Sequence, residues 1–207
     1  PLAIDHFGHI GVEDCIKLGR RIDKYNLAWM EDMIPWQYTN QWKRLAAAVS
    51  TPLCTGEDIY LKENFKPLLE SGAVSIIHPD VLTTGGILET KKIGDMAQDY
   101  GVAMAIHMAE SPIACLAAVH VAAATENFLA LEFHSVDVPW WDDIIIAPKL
   151  PKPLVQNGFI QVPDAPGLGI EELNDEVIAQ HLHPEVPGLW EPTDEWNHYV
   201  GNDRLWS

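Results

Sequence analysis

The sequence predicts an α/β fold in which parallel strands alternate with helices and close into a barrel. Three observations support this prediction. Short apolar runs alternate with segments of helical period, each run is followed by an acid or a histidine, and these polar residues recur every 23–27 residues. Near-continuously apolar strands that alternate with helices are typical of a parallel sheet covered by helices.

Six apolar runs are predicted to be strands: Leu2–Ile4, Leu27–Met30, Pro52–Thr55, Val74–Ile77, Val102–Ile106 and Phe128–Leu131. Five segments of helical period lie between them: Val12–Tyr25, Gln41–Val49, Leu61–Leu69, Ile87–Tyr100 and Ile113–Ala124. Gly72 follows the third of these helices, where glycine is common because it adopts a left-handed conformation without steric cost.

The polar residues at the strand ends favour a barrel over an open sheet. They are Asp5, Glu31, Glu57, Asp80, His107 and Glu132. An open dinucleotide-binding sheet concentrates its chemistry at one switch point, whereas a barrel brings one group from each strand to a common rim. A barrel of this kind has eight strands and six are visible, so we expect two further βα units upstream of Pro1.

Residues 1–152 are assigned to this partial barrel, from its third to its eighth strand. Residues 153–207 are assigned to a C-terminal strand at Phe159–Val162, a loop and an irregular tail that packs on the barrel or on a capping domain. An exposed, aromatic-rich tail would suit an interface, so we expect a homo-oligomer.

Composition and charge exclude several classes of protein. The chain has 207 residues, of which 47% are hydrophobic, and a net charge of −17. Lys and Arg do not cluster, which argues against binding to nucleic acid. No signal peptide and no run of 18 apolar residues is present, which argues against membrane association and favours a cytoplasmic location. The separated cysteines Cys15, Cys54 and Cys115 are expected to be reduced and buried.

Asp5, Glu31 and Glu57 are the predicted metal ligands. They end three consecutive strands at spacings of 26 and 26 residues, so their carboxylates are expected to converge at the rim. Hard oxygen ligands without thiolates or paired imidazoles suit Mg²⁺ better than Zn²⁺. A single acid at a strand end is commonly a solvated cap, but three at this spacing favour a metal site.

Asp80 and His107 end the next two strands and are predicted to form an acid/base pair. A carboxylate beside an imidazole selects its tautomer and raises its basicity. No nucleophilic Ser or Cys accompanies the pair, which favours proton transfer over acyl transfer.

Several local motifs occur in one order along nearly the whole chain. They are Trp29-Met30-Glu31-Asp32, Thr55-Gly56-Glu57, His78-Pro79-Asp80 followed by Gly85-Gly86-Ile87, Ile106-His107, Leu131-Glu132 and Pro163-Asp164-Ala165-Pro166-Gly167-Leu168-Gly169-Ile170. Together they resemble the mandelate racemase/muconate lactonizing enzyme family of the enolase superfamily, and within it the acid-sugar dehydratases.

This resemblance implies a TIM-like (β/α)₇β barrel, here without its first two βα units and without the N-terminal capping domain. It implies Mg²⁺ as cofactor and a small carboxylate, most simply a sugar acid, as substrate. The reaction it implies is abstraction of the proton α to the carboxylate to give an enediolate. By the same resemblance Asp5, Glu31 and Glu57 bind the metal, Asp80 and His107 form the dyad, and Glu132 hydrogen-bonds the substrate carboxylate or enediolate.

The chain departs from the dehydratase pattern at Phe7, where such enzymes carry a histidine two residues after the first metal ligand. His107 could then serve as both base and acid in a syn elimination, or His9 could be the acid. The lysine that often supplies a second base has no counterpart, because its strand is not in the chain.

Dehydration of a sugar acid is therefore the preferred reaction. The segments 192–196 and 203–207 add a modest likeness to dehydratases. The alternatives are a racemase, epimerase or cycloisomerase, and a truncated relative that serves as a structural or interaction module. We expect the isolated 207-residue chain to be inactive.

Overall fold

The computed structural model describes residues 1–191. Within them the strands are β1 Ile4–Asp5, β2 Met30–Glu31, β3 Leu53–Thr55, β4 Ile76–Ile77, β5 Ala103–Ile106, β6 Phe128–Leu131, β7 Ile145–Ile146, β8 Val155–Gln156, β9 Phe159–Ile160 and β10 Glu172–Leu173. The helices are α1 Val12–Ile22, α2 Thr39–Ala46, α3 Lys62–Ser71, α4 Val81–Thr84, α5 Ile87–Asp99, α6 Pro112–Ala123 and α7 Asp175–Gln180. Segments 192–196 and 203–207, named for their likeness to dehydratases, lie outside the described residues.

Strands β1 to β6 form one parallel sheet in chain order. The predicted α/β class and the parallel order of the six strands are thereby confirmed. Strands β1 to β5 are shorter than predicted, with β1 beginning at Ile4 rather than Leu2, whereas β6 has the predicted bounds. Hydropathy identifies buried residues, whereas the bounds of a strand depend on backbone hydrogen bonds, so the two differ at the ends.

Both faces of this sheet are apolar, as expected for a parallel sheet. One face packs against the helices through a cluster that includes Met30, Leu53, Ile77 and Met104 on the strands and Phe65 on α3. The opposite face carries a smaller cluster of Cys54, Ile76 and Ala105. Because side chains alternate between the two faces of each strand, the large core lies on the helix-facing side of the sheet and the smaller cluster lies on the opposite side.

The chain after β6 forms irregular structure that packs on α6. Strand β7 pairs antiparallel with β10, and β8 pairs antiparallel with β9. The predicted strand at Phe159–Val162 is therefore only two residues long, Phe159–Ile160, and forms a hairpin. Buried Trp141, Ile145 and Leu154 pack against Cys115 of α6. A domain boundary at residue 152 stays a prediction.

All three cysteines are free and buried, as predicted. Burial raises the pKa of the Cys15 thiol to about 11 and that of Cys115 to about 12. Both thiols are therefore protonated and unreactive near neutral pH. Within residues 1–191, no helix combines the length and the apolar character needed to cross a bilayer.

Replacing Gly56 with alanine is expected to destabilise the protein. Gly56 lies between β3 and Glu57, and a Cβ there would stand 2.8 Å from the backbone nitrogen of His78. Backbone cannot move aside cheaply, so Gly56→Ala should lower the free energy of unfolding by about 1–3 kcal/mol. Gly11→Ala is the matched control, because a Cβ at Gly11 would meet nothing within 4 Å. Equal urea midpoints for the two variants would contradict the predicted clash.

Candidate active site

Asp80 and His107 meet where β4 and β5 end. The two residues form an isolated parallel bridge beyond the strands, and Asp80 Oδ2 lies 2.7 Å from His107 Nδ1. Asp80 also caps helix α4, because its Oδ1 accepts hydrogen bonds from the backbone N–H groups of Leu82 at 2.6 Å and Thr83 at 3.0 Å. The structure thus brings the predicted dyad together and shows why an aspartate stands there.

His107 has carboxylates on several sides. Its Nε2 lies 3.4 Å from Glu57 Oε2 and 3.7 Å from Glu132 Oε2, which come from other strand ends. Burial by itself would lower the pKa of His107, but the hydrogen bond to Asp80 and the charges of Glu57 and Glu132 raise it to about 9. Burial would raise the pKa of Asp80, but hydrogen bonds, first of all with His107, hold it below its ordinary value. Near neutral pH, His107 is therefore an imidazolium paired with the carboxylate of Asp80 as long as Glu57 and Glu132 are charged.

Glu31 contacts a histidine that the strand-end pattern did not select. Its Oε1 hydrogen-bonds Nδ1 of His78, and its Oε2 accepts a hydrogen bond from Nε1 of Trp29 at 2.8 Å. Burial would raise the pKa of Glu31, but its bonds with His78 and Trp29 lower it. The bond with Glu31 and its charge raise the pKa of His78 against the effect of burial. His78 precedes Asp80 by two residues, so alternation along the strand could have placed both on the interior side.

Asp5 is an exposed residue at the end of β1, and the negative charges of other acids act on its carboxyl group. Burial of its carboxyl group and the negative charges of Glu31 and Glu57 raise the pKa of Asp5, although the backbone N–H of Phe7 donates to it at 3.1 Å. The three predicted metal ligands thus lie within one electrostatic neighbourhood. Such mutual repulsion is what a bound cation would relieve.

Three groups of candidate ligand residues have their atoms within 4.8 Å of one another in the described part of the chain. They are Glu31 with Cys54 and His78, Asp80 with His107 and Glu110, and Asp32 with Glu57 and Asp58. Glu31 and Glu57 each belong to one group, and Asp5 to none. The oxygen donors of Asp5, Glu31 and Glu57 fit Mg²⁺ chemically, and the two oxygens of Glu31 also take part in hydrogen bonds with His78 and Trp29.

A thiol and an imidazole adjoin one of the predicted oxygen ligands, because Cys54 and His78 lie beside Glu31. Residues 54 and 31 are paired in the parallel ladder, so their side chains point to the same side of the sheet. Burial, followed by the charge of Glu31, holds the pKa of Cys54 well above its ordinary value, so this thiol is a poor ligand unless it is deprotonated.

A cavity of about 370 Å³ opens beside these groups. Residues of both end strands of the sheet and of the strands between them line it: Ala3, Ile4, Asp5, Trp29, Glu31, His78, Ala105, Ala130, Leu131 and Glu132. A mostly apolar cavity with a few converging polar groups is typical of a small-molecule site.

Phe7 does not share the side of Asp5 as an extended strand would predict. Strand β1 ends at Asp5, and Phe7 has a positive φ of 58° with 48% of its surface exposed. The turn after β1 breaks the alternation of side chains. The direction of the Phe7 side chain therefore depends on the loop and not on the strand. His9 is exposed, and its ring centroid lies 6.3 Å from that of Phe7.

Residues 1–177 match the family described as enolase C-terminal domain-like. This chain belongs to that family. The enolase superfamily is thus confirmed, including its mandelate racemase/muconate lactonizing enzyme branch, to which similar solved structures belong.

Known relatives of this enolase-superfamily chain include acid-sugar dehydratases. It is 38% identical over 170 residues to a D-xylonate dehydratase of Haloferax volcanii, covering 82% of this chain and 40% of that protein. It is 29% identical over 207 residues to a D-galactonate dehydratase of Ralstonia pickettii, covering 99% of this chain and 53% of that protein. The chain therefore spans about half the length of these relatives.

A mandelate racemase/muconate lactonizing enzyme-like protein of Rubrobacter xylanophilus has a similar solved structure. The TM-score is 0.84 at 34% sequence identity, over 90% of this chain and 46% of that one. The α/β architecture of this enolase-superfamily domain is thus shared with an experimentally determined fold.

The contribution of His107 to stability is expected to depend on pH. Its pKa rises from 6.5 to about 9 on folding, so the imidazolium stabilises the metal-free protein fully below pH 6.5 and loses that effect as pH rises through about 9. His107→Gln should therefore cost more at about pH 6 than at about pH 10, by roughly 1–2 kcal/mol after solvent screening.

The measurement is urea unfolding of both proteins in the presence of a chelator at several pH values. Exposed His134, two residues after Glu132, provides the matched control, and His134→Gln should show no such trend. A cost of His107→Gln that is independent of pH would contradict the charged-pair interpretation.

Proposed function

We propose that the intact protein is a Mg²⁺-dependent lyase that dehydrates a sugar acid. One observation carries the proposal: His107 Nδ1 is held by Asp80 at 2.7 Å while its Nε2 lies within 4 Å of both Glu57 and Glu132. An oriented imidazole whose second nitrogen faces Glu132, an acid that lines the cavity, suits proton transfer. The named dehydratase relatives support dehydration as the outcome.

The residues proposed to hold Mg²⁺ are Asp5, Glu31 and Glu57. Their support is the oxygen donor set and the raised pKa of Asp5, whose causes are first burial and then the charges of Glu31 and Glu57. When bound, the ion would supply positive charge beside the substrate carboxylate and so make the α-proton more acidic.

His107 must be neutral to accept a proton. The negative charge of Glu57 is one cause of the raised pKa of His107. If that charge is neutralised, the pKa of His107 falls toward the range in which a general base works. Asp80 keeps Nδ1 of the ring protonated, which leaves Nε2 to act on the substrate.

In the proposed reaction His107 Nε2 removes the proton from C2 of a 2,3-dihydroxy acid. The electron pair of the broken C–H bond moves into the carboxylate to form an enediolate. Glu132 can donate a hydrogen bond to this enediolate only as the protonated acid, so its role requires a proton on its carboxyl group. The C3–O bond then breaks, and the proton on His107 joins the departing hydroxide to give water. The resulting enol becomes a 2-keto-3-deoxy acid. Exposed His9 is the alternative donor in this step.

The six parallel strands are proposed to belong to a closed eight-stranded barrel. The support is that both end strands, β1 and β6, contribute residues to the same cavity. Two further strands between them would complete the wall of this cavity and could carry a second base. Cytoplasmic location and homo-oligomerisation stay predictions.

Removing one of the proposed metal ligands should weaken Mg²⁺ binding by the intact protein. Asp5→Asn, Glu31→Gln and Glu57→Gln each remove a charged ligand, and each should raise the Kd by at least about tenfold. Isothermal titration calorimetry provides the measurement. Glu126→Gln is the control, because Glu126 is exposed and precedes β6 at the opposite end of the sheet. Unchanged affinity in all three variants would refute the metal assignment.

Solvent exchange tests the reaction itself. The intact protein is incubated with Mg²⁺ and a panel of sugar acids in heavy water, and NMR follows the α-proton and any new ketone. We expect one acid to lose its C2 proton and yield a 2-keto-3-deoxy acid, with His107→Asn lowering the rate by roughly 10²–10⁴-fold. Exchange with inversion and no ketone would indicate a racemase or epimerase. No exchange with any acid, together with no binding of Mg²⁺, would favour the non-enzymatic alternative.

A further inference from the structure

The loop after β5 carries a second acid beside the dyad, Glu110. Ligand atoms of Glu110, Asp80 and His107 all lie within 4.8 Å of one another. Glu110 is half-buried, and its carboxyl group shares a hydrogen bond with Asp80. The carboxylate of Asp80 therefore lies between the imidazole of His107 and a second carboxyl group.

Two carboxyl groups that share a hydrogen bond need one proton between them. Asp80 already accepts from the backbone N–H groups of Leu82 and Thr83 and pairs with His107, and all three contacts favour its charged form. Burial and the contact with Asp80 raise the pKa of Glu110, although the charge of His107 and the backbone N–H of Ala109 oppose this. Of the two carboxyl groups, Glu110 is thus the one that binds a shared proton more tightly.

Glu110 is itself held in place by the chain that follows β6. Its backbone carbonyl oxygen accepts hydrogen bonds from Nε1 of Trp141 at 2.8 Å and from Oγ of Ser135 at 3.5 Å. Trp141 is 4% exposed and packs in the core that includes Cys115 of α6. Oε2 of Glu110 accepts a hydrogen bond from the backbone N–H of Ala109 at 3.1 Å. The carboxyl group of Glu110 is therefore fixed from both its backbone and its side chain.

We propose that Glu110 is a positioning residue, which donates a hydrogen bond from its carboxyl group to Asp80 and thereby holds the Asp80–His107 pair in the orientation needed for proton abstraction. Without this donor, Asp80 would keep its backbone contacts, but one oxygen lone pair would lose its partner. The carboxylate could then rotate, and the ring of His107 would move with it. This role rests on the proton transfer proposed for His107.

Two substitutions at Glu110 distinguish a hydrogen-bond donor from a side chain that only fills space by packing. Glutamine keeps the shape and an N–H donor, whereas leucine keeps similar bulk without any donor. In the intact protein, Glu110→Gln should retain kcat within about threefold, while Glu110→Leu should lower kcat by about 10–100-fold with little change in KM. Thermal unfolding of both variants serves to confirm that they are folded.

A spectroscopic readout keeps the test independent of the reaction. In protein labelled with ¹⁵N at histidine, the Nδ1–H of His107 should be protected from solvent exchange in the wild type and in Glu110→Gln. It should exchange faster in Glu110→Leu. This measurement needs no substrate, so a failure of the proposed dehydration would not be mistaken for a failure of the positioning role.

Three results would overturn the proposal. Equal kcat for Glu110→Leu and the wild type, with equal protection of the His107 Nδ1–H, would show that the contact has no positioning effect. A raised KM with unchanged kcat would assign Glu110 to substrate binding. Equal losses of kcat in the glutamine and leucine variants would show that a carboxylate, and not a donor, is needed.

Discussion

Parallel strands β1 to β6 carry their acidic residues to the same end of the sheet, where the negative charges repel one another. Hydrogen bonding between strands forces this arrangement, since every parallel strand presents its carboxyl end at the same edge. The fold is compatible with such crowding only if the charges are offset locally. The imidazoles of His78 and His107 provide that offset for Glu31 and Asp80.

The two histidines occupy different electrostatic positions. His78 is buried, bonds Glu31 through Nδ1 and so links β2 to the end of β4, while its Nε2 lies 4.0 Å from Glu132 Oε2. His107 is more accessible and faces Glu57 and Glu132 with its second nitrogen. His107 therefore has the more accessible side chain, 17% exposed against 5% for His78. Accessibility, and not residue type, distinguishes the catalytic candidate from the structural one.

Few contacts offset the negative charge of the Asp5 carboxylate. The carboxyl group is partly buried, burial and the neighbouring acids raise its pKa, and the backbone N–H groups of Phe7 and His6 oppose this. An uncompensated carboxylate at a site rich in oxygen donors is the physical reason for expecting a cation there. Glu31, by contrast, has its charge offset by the imidazole of His78.

The sequence by itself determined the alternation of strands and helices, the six polar residues at the strand ends and the membership of the enolase superfamily. These follow from local hydropathy and from motifs whose order can be read along the chain. Tertiary structure alone decided that His78 pairs with Glu31, that Phe7 turns away from the strand pattern, and that Glu110 reaches Asp80. Spacing along the chain predicts which edge of a sheet a residue reaches. The distance between two side chains at that edge depends on loop geometry and packing, which spacing does not encode.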